Sequence, residues 1–161
     1  MTDIAAPPVQ PTETPPVRNR PTRDELVAWR SFLRAHATIT RALESELVTE
    51  QRLSLAAYDV LVQLAEAPER SLRMTELADA VLLSRSGVTR LVDRLERSRL
   101  VGRSRVESDG RGIAAHLTDA GLARLRVAAR THLDGVVRHF AARLGPDDLH
   151  ALERISRRLY G

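Results

Sequence analysis

Val88, Leu91, Val92 and Leu95 stand at i, i+3, i+4 and i+7, the spacing that puts four apolar side chains on one face of an α-helix. Those four must be buried, so the content of the opposite face follows. It carries Arg85, Ser86, Thr89, Arg90 and Arg94, with Ser84 in front as a good N-cap. Guanidinium groups interleaved with short hydroxyls are side chains that read base edges and phosphates in a DNA major groove. Gly87 either lets this face approach a partner backbone closely or is simply tolerated near a helix start.

The charge distribution points the same way. Between Arg85 and Arg111, eight arginines stand against four acids, whereas the other 134 residues hold 17 arginines and 17 acids. The net charge of +4 therefore lies in one 27-residue segment, as expected of a surface that neutralises phosphates. Charge alone would also fit a solvated basic face without a partner.

Length and composition limit the other possibilities. With 161 residues, 43% of them hydrophobic, the chain suits one compact domain or a small domain extended by helices. It holds no cysteine, which excludes disulfides, thiolate metal sites and thiol sensing. There is no long apolar run, and the first 23 residues lack the apolar core of a signal peptide, so a cytoplasmic protein without membrane association is expected. All 25 basic residues are arginine, which suits bidentate contacts to phosphate and guanine. His132 and His139 are seven positions apart, and no histidine pair has the i, i+4 spacing that favours zinc on a helix. No nucleophile motif or phosphate loop is present, so neither an enzyme nor a cofactor is expected.

Organisation along the chain supplies the context. Six of eight prolines fall within residues 1–22, which read as a disordered arm. Leu26, Trp29, Leu33, His36, Thr40, Leu43 and Leu47 then form a heptad seam, and Leu122, Leu125, Ala129, Leu133, Val136, Phe140 and Leu144 form another, broken at Gly145 and Pro146. Such seams are buried against each other or against a second copy. We read residues 23–50 and 119–161 as a helical dimerisation domain flanking a central domain at 51–118; a three-helix bundle within one chain is the alternative.

Within the centre, Leu53 to Glu66 is amphipathic, Ser71 to Met74 reads as a short strand, and Thr75 to Val81 reads as a helix with Thr75 as a single-sided N-cap. Leu100 to Val106 and Ile113 to Leu117 read as two strands joined by a polar loop with Asp109, Gly110 and Arg111. In that loop the carboxylate can hold the guanidinium extended toward a narrow minor groove. The fold class is mainly α (α+β): a winged helix-turn-helix with a small β-hairpin wing, flanked by N- and C-terminal dimerisation helices.

This order of elements, with LSRSGVTRLVDRLERSRLVGR followed by DGR and HLT, resembles the MarR (multiple antibiotic resistance regulator) family of bacterial transcription factors over roughly residues 24–160. The resemblance implies a homodimer on a pseudo-palindromic operator in double-stranded DNA, usually acting as a repressor. It implies recognition-helix contacts from Ser84, Arg85, Ser86, Thr89 and Arg90 and a wing pair of Asp109 and Arg111; Arg94, Arg99 and Arg103 complete the candidate DNA-contacting set. One position departs from the family pattern. Where a glycine commonly precedes the Leu-Val of the wing strand, this chain has Arg99.

Relatives often release DNA on binding a small, often aromatic, anion beside the dimerisation helices. On that basis Trp29, Phe32, His36 and Tyr58 are candidate ligand-lining residues, with Arg30 or Arg34 for a carboxylate; an aromatic stripe at this spacing is more often core or dimer seam. The competing functional class is a winged-helix interaction module docking on an acidic protein partner. Such a module should show apolar anchors on its exposed helix face.

Overall fold

The structure, a computed structural model, describes residues 20–106 and 112–160. The prolines of the arm up to residue 16 and the hairpin tip with Asp109 and Arg111 lie outside the described residues. The chain divides into two units, one ending at Ala35 and one running from His36 to Gly161. Helix α1, Arg23–Gln51, spans that boundary.

In the first unit, Thr22 starts the helix with a reciprocal cap. Its Oγ1 accepts from the Glu25 N–H at 3.2 Å, and the Glu25 carboxylate accepts from the Thr22 N–H at 2.6 Å. Trp29 and Phe32 stack on each other, with ring centroids 6.1 Å apart.

The second unit contains the rest of the fold. Helix α2 is Leu55–Glu66, strand β1 is Ser71–Arg73, helix α3 is Met74–Ala80 and helix α4 is Arg85–Arg97. Strands β2, Val101–Arg105, and β3, Ile113–Leu117, follow, then helices α5, Asp119–His139, and α6, Pro146–Tyr160. The sheet is antiparallel in the order β1-β3-β2, with Leu72 opposite Ala115 and Arg103 opposite the same Ala115 from the other side. One core joins these elements: Leu47 from α1, Val60, Leu61 and Leu64 from α2, Leu77 from α3, Val88 and Val92 from α4, and Val101 and Ala115 from the sheet. Among the described residues, no helix is long and apolar enough to cross a membrane.

Two sequence expectations change. Helix α3 begins one residue early, and its cap is Glu76, whose carboxylate accepts from the Arg73 N–H at 3.0 Å. Thr75 is therefore inside the helix, and the capping oxygen comes from the third helical position. The face of α5 that packs within the chain is also displaced from the expected seam. Its buried residues are Gly121, Leu125, Ala128, Thr131 and Gly135, so only Leu125 belongs to both sets. Small residues occupy this face because side chains of α1 and the backbone at Leu100 come close to it. A Cβ at Gly135 would lie 2.7 Å from Leu43 Cδ2 and from Glu46 Oε2, and one at Gly121 would lie 2.0 Å from the Leu100 carbonyl oxygen.

Candidate nucleic-acid interface

Helix α4 takes the phase that its sequence dictates. Val88, Leu91, Val92 and Leu95 are buried, while Arg85, Ser86, Thr89, Arg90 and Arg94 are exposed. Ser84 opens the helix: its Oγ accepts from the Gly87 N–H at 3.1 Å and lies 3.3 Å from Ser86 Oγ. The same cap gives Gly87 a local reason, since a Cβ there would crowd Ser84 Oγ at 3.1 Å. Thr89 donates its hydroxyl proton back to the Arg85 carbonyl at 2.8 Å, which leaves an acceptor lone pair and a methyl group for the outside. Among the described residues, Arg85, Arg90 and Arg94 have no carboxylate within ion-pair distance. Three unneutralised guanidinium groups thus lie along the exposed face of one rigid helix.

Both ends of this helix are closed firmly. At the C-terminal end, the Leu100 N–H bonds to the Leu95 carbonyl at 3.0 Å and the Arg99 N–H to the Glu96 carbonyl at 2.8 Å, the paired bonds of a Schellman motif. That motif requires a left-handed residue, and Arg99 supplies it with φ of 59°. The turn geometry expected of glycine is therefore kept without glycine, at a backbone cost of roughly 1 kcal/mol. The turn before α4 repeats the device. Leu82 has φ of 53°, with Leu83 N–H to Ala78 carbonyl at 3.2 Å and Leu82 N–H to Asp79 carbonyl at 3.3 Å.

Arg103 has a different place from the other candidates. Its guanidinium bonds Asp93 Oδ1 at 2.6 Å and Glu96 Oε2 at 2.9 Å, and donates to the Thr89 carbonyl at 3.2 Å. With its side chain 23% exposed, it ties strand β2 to the side of α4. It therefore orients the helix and has its own charge matched by protein carboxylates. Sequence reasoning missed Asp93 and Glu96 in this role, although their i, i+3 spacing on one helix was the available signal.

Thr118 secures the other junction. Its hydroxyl donates to the Arg99 carbonyl at 2.8 Å and accepts from the Gly121 N–H at 2.9 Å, so one side chain joins the end of α4 to the start of α5.

The candidate ligand residues are not alike. Tyr58 belongs to the core of the second unit, its ring 4.4 Å from that of His132, and burial pushes its hydroxyl pKa up. Burial also lowers the pKa of His132, against the opposing charge of Asp59, and raises that of Asp59. His132 Nδ1 is buried without a hydrogen-bond partner among the described residues. Trp29 and Phe32, in the first unit, are about half exposed, and His36 is exposed. Among the described residues, no group of three metal-ligating side chains is present.

Comparison with known proteins accounts for this arrangement. The family model for the MarR family matches residues 53–112. The structure superimposes on Sco3205, a MarR family transcriptional regulator from Streptomyces coelicolor in complex with DNA, with a TM-score of 0.82 and 36% identity over 88% of this chain and 91% of that one. AbsC, a MarR family transcriptional regulator from the same organism, gives a TM-score of 0.77 and 36% identity over 88% of this chain and 98% of its own. The HTH-type transcriptional regulator PecS of Dickeya dadantii (strain 3937) is 28% identical over 103 residues, 63% of this chain; the match spans 61% of PecS. Helix order, wing strands and sequence identity converge, and the chain belongs to the MarR family of transcriptional regulators.

Proposed function

We propose that this regulator binds duplex DNA sequence-specifically, as a homodimer on a pseudo-palindromic operator, and represses transcription there. The observation that carries the reading is the exposed face of α4, where, among the described residues, Arg85, Arg90 and Arg94 stand without carboxylate partners beside Ser86 and Thr89. The DNA-bound state of its Streptomyces relative supports DNA as the partner. The wing pair expected at Asp109 and Arg111 adds a minor-groove contact. Exposed apolar side chains on the long helices, Trp29, Phe32, Leu33, Leu133 and Val137, support a second copy. A small aromatic anion is the effector class that would release the DNA. Docking on an acidic protein fits less well, because the exposed face of α4 offers no apolar anchor.

Selection of bound fragments from genomic DNA tests the proposal. Two inverted half-sites with centres about one helical turn or a multiple of it apart are the expected result. Recovery of fragments without a shared motif, or a monomer by sedimentation at micromolar concentration, would refute it.

A further inference from the structure

Ser86 and Thr89, the two hydroxyls within the exposed face of α4, are not equivalent. Ser86 Oγ lies 3.3 Å from Ser84 Oγ and either oxygen can be the donor, so Ser86 can turn a proton or a lone pair outward. Thr89 has no such choice. Its hydroxyl proton is committed to the Arg85 carbonyl at 2.8 Å, so it presents to the outside an acceptor with a methyl group beside it.

The surroundings hold Thr89 in that state. A β-branched side chain has few rotamers in a helix, and the one that bonds the carbonyl four residues back fixes the positions of oxygen and methyl together. The Thr89 carbonyl accepts from the Arg103 guanidinium at 3.2 Å, and Arg103 is itself gripped by Asp93 at 2.6 Å and Glu96 at 2.9 Å. The backbone that carries Thr89 is therefore tied to strand β2, while its hydroxyl is tied to the preceding turn of α4. An acceptor this well oriented discriminates between partners, because little of its binding free energy is spent on ordering it.

The chemistry of such a group selects its partner. A phosphate oxygen only accepts, so this hydroxyl cannot bond the DNA backbone, and guanine O6 and N7 would meet it acceptor to acceptor. An amino donor is required, which leaves adenine N6 and cytosine N4 on the major-groove edge. The methyl group decides between them, since an A·T pair adds the thymine C5 methyl and a G·C pair has none. We propose that Thr89 determines specificity by selecting an A·T pair in each half-site, its oxygen accepting from adenine N6 and its methyl packing on the thymine methyl. The inference rests on the proposed DNA binding and adds to it the identity of one base pair.

Titration of the full chain with fragments recovered by the selection tests this, with single base analogues placed at each A·T pair of a half-site in turn. Deoxyuridine in place of thymidine removes only the methyl, and purine deoxyriboside in place of deoxyadenosine removes only the amino group. At one pair per half-site the first should weaken binding about threefold and the second about fivefold. Thr89→Ser keeps the oxygen without the methyl and should abolish the deoxyuridine effect alone. Thr89→Val keeps the shape without the oxygen and should abolish the purine effect alone; each coupling is read from a double-mutant cycle. The analogues act on the unaltered protein, so that arm stands whatever the two substitutions do to folding. Specific binding in which no A·T pair responds to both analogues, or in which neither substitution couples to them, would overturn this inference and leave the DNA reading intact. An equal loss on operator and random DNA in Thr89→Val would overturn it too, by making Thr89 a backbone contact. If the chain binds no DNA with a shared motif, the DNA reading fails and this inference with it.

Discussion

Helices α4 and α5 solve opposite problems with the same periodicity. Helix α4 turns its large apolar residues inward and leaves arginines and hydroxyls outside. Helix α5 turns glycine, alanine and threonine inward and leaves Val127, Leu133 and Val137 more than half exposed. An outer face of exposed guanidinium groups is suited to a polyanion; an outer face of valine and leucine gains only by meeting another apolar surface. One helix is therefore anchored by volume and the other by close approach.

Substitutions that exchange these two solutions should show the difference most clearly. Leu91→Ala removes a side chain only 3% exposed from the anchor of α4 and should cost about 2–5 kcal/mol in denaturant unfolding, whereas Leu133→Ala, at 59% exposure, should weaken the proposed dimer and leave monomer stability nearly intact. Next in size, Arg90→Ala should weaken operator binding by about 1–3 kcal/mol with no shift in melting temperature. An equal loss on random DNA, measured by titration at fixed salt, would demote Arg90 to a phosphate contact. Gly135→Val should destabilise by about 1–3 kcal/mol through overpacking, because the added Cβ meets Leu43 and Glu46; a neutral result in thermal unfolding would show that α5 can slide.

Smaller effects sharpen the picture further. Arg99→Gly relieves the left-handed strain and should stabilise by roughly 0.5–1 kcal/mol while weakening DNA binding, if the lost cation touched a phosphate; calorimetric unfolding paired with DNA titration separates the two. The His132 site gives the last prediction. Its folded-state pKa lies below the ordinary 6.5, so as pH falls below that value the unfolded chain takes up a proton that the folded chain refuses, and stability declines. Asp59, with a raised pKa, acts with the opposite sign at lower pH, where the folded chain takes up its proton more readily. His132→Phe should therefore flatten the upper part of the stability profile, read by melting temperature between pH 7 and 5.

What the sequence made legible follows from these physical differences. The phase of α4 was readable because large apolar and charged residues alternate at helical spacing. The packing face of α5 was not, since Gly121, Ala128, Thr131 and Gly135 carry no hydrophobic signal although they permit the closest contacts. Strand β1 and the wing strands were recognisable, and so was the Ser84 cap. The true cap of α3 was hidden, because its oxygen comes from Glu76, inside the helix. At the candidate interface, the exposed arginines of α4 were found from charge and spacing. Arg103 looks like one of them in the sequence, which shows a charge without its partners; Asp93 and Glu96 become partners only where β2 lies beside the helix.

The single hydroxyl of Thr118 has a mechanical meaning. It holds the Arg99 carbonyl and the Gly121 N–H together, and Gly121 leaves no space between α5 and the Leu100 carbonyl. The corner between α4 and α5 is thus a welded elbow, in which tilting the long arm carries the short one with it. In a two-fold pair, the opening between two such long arms would set the gauge between the reading helices, like the jaws of a caliper.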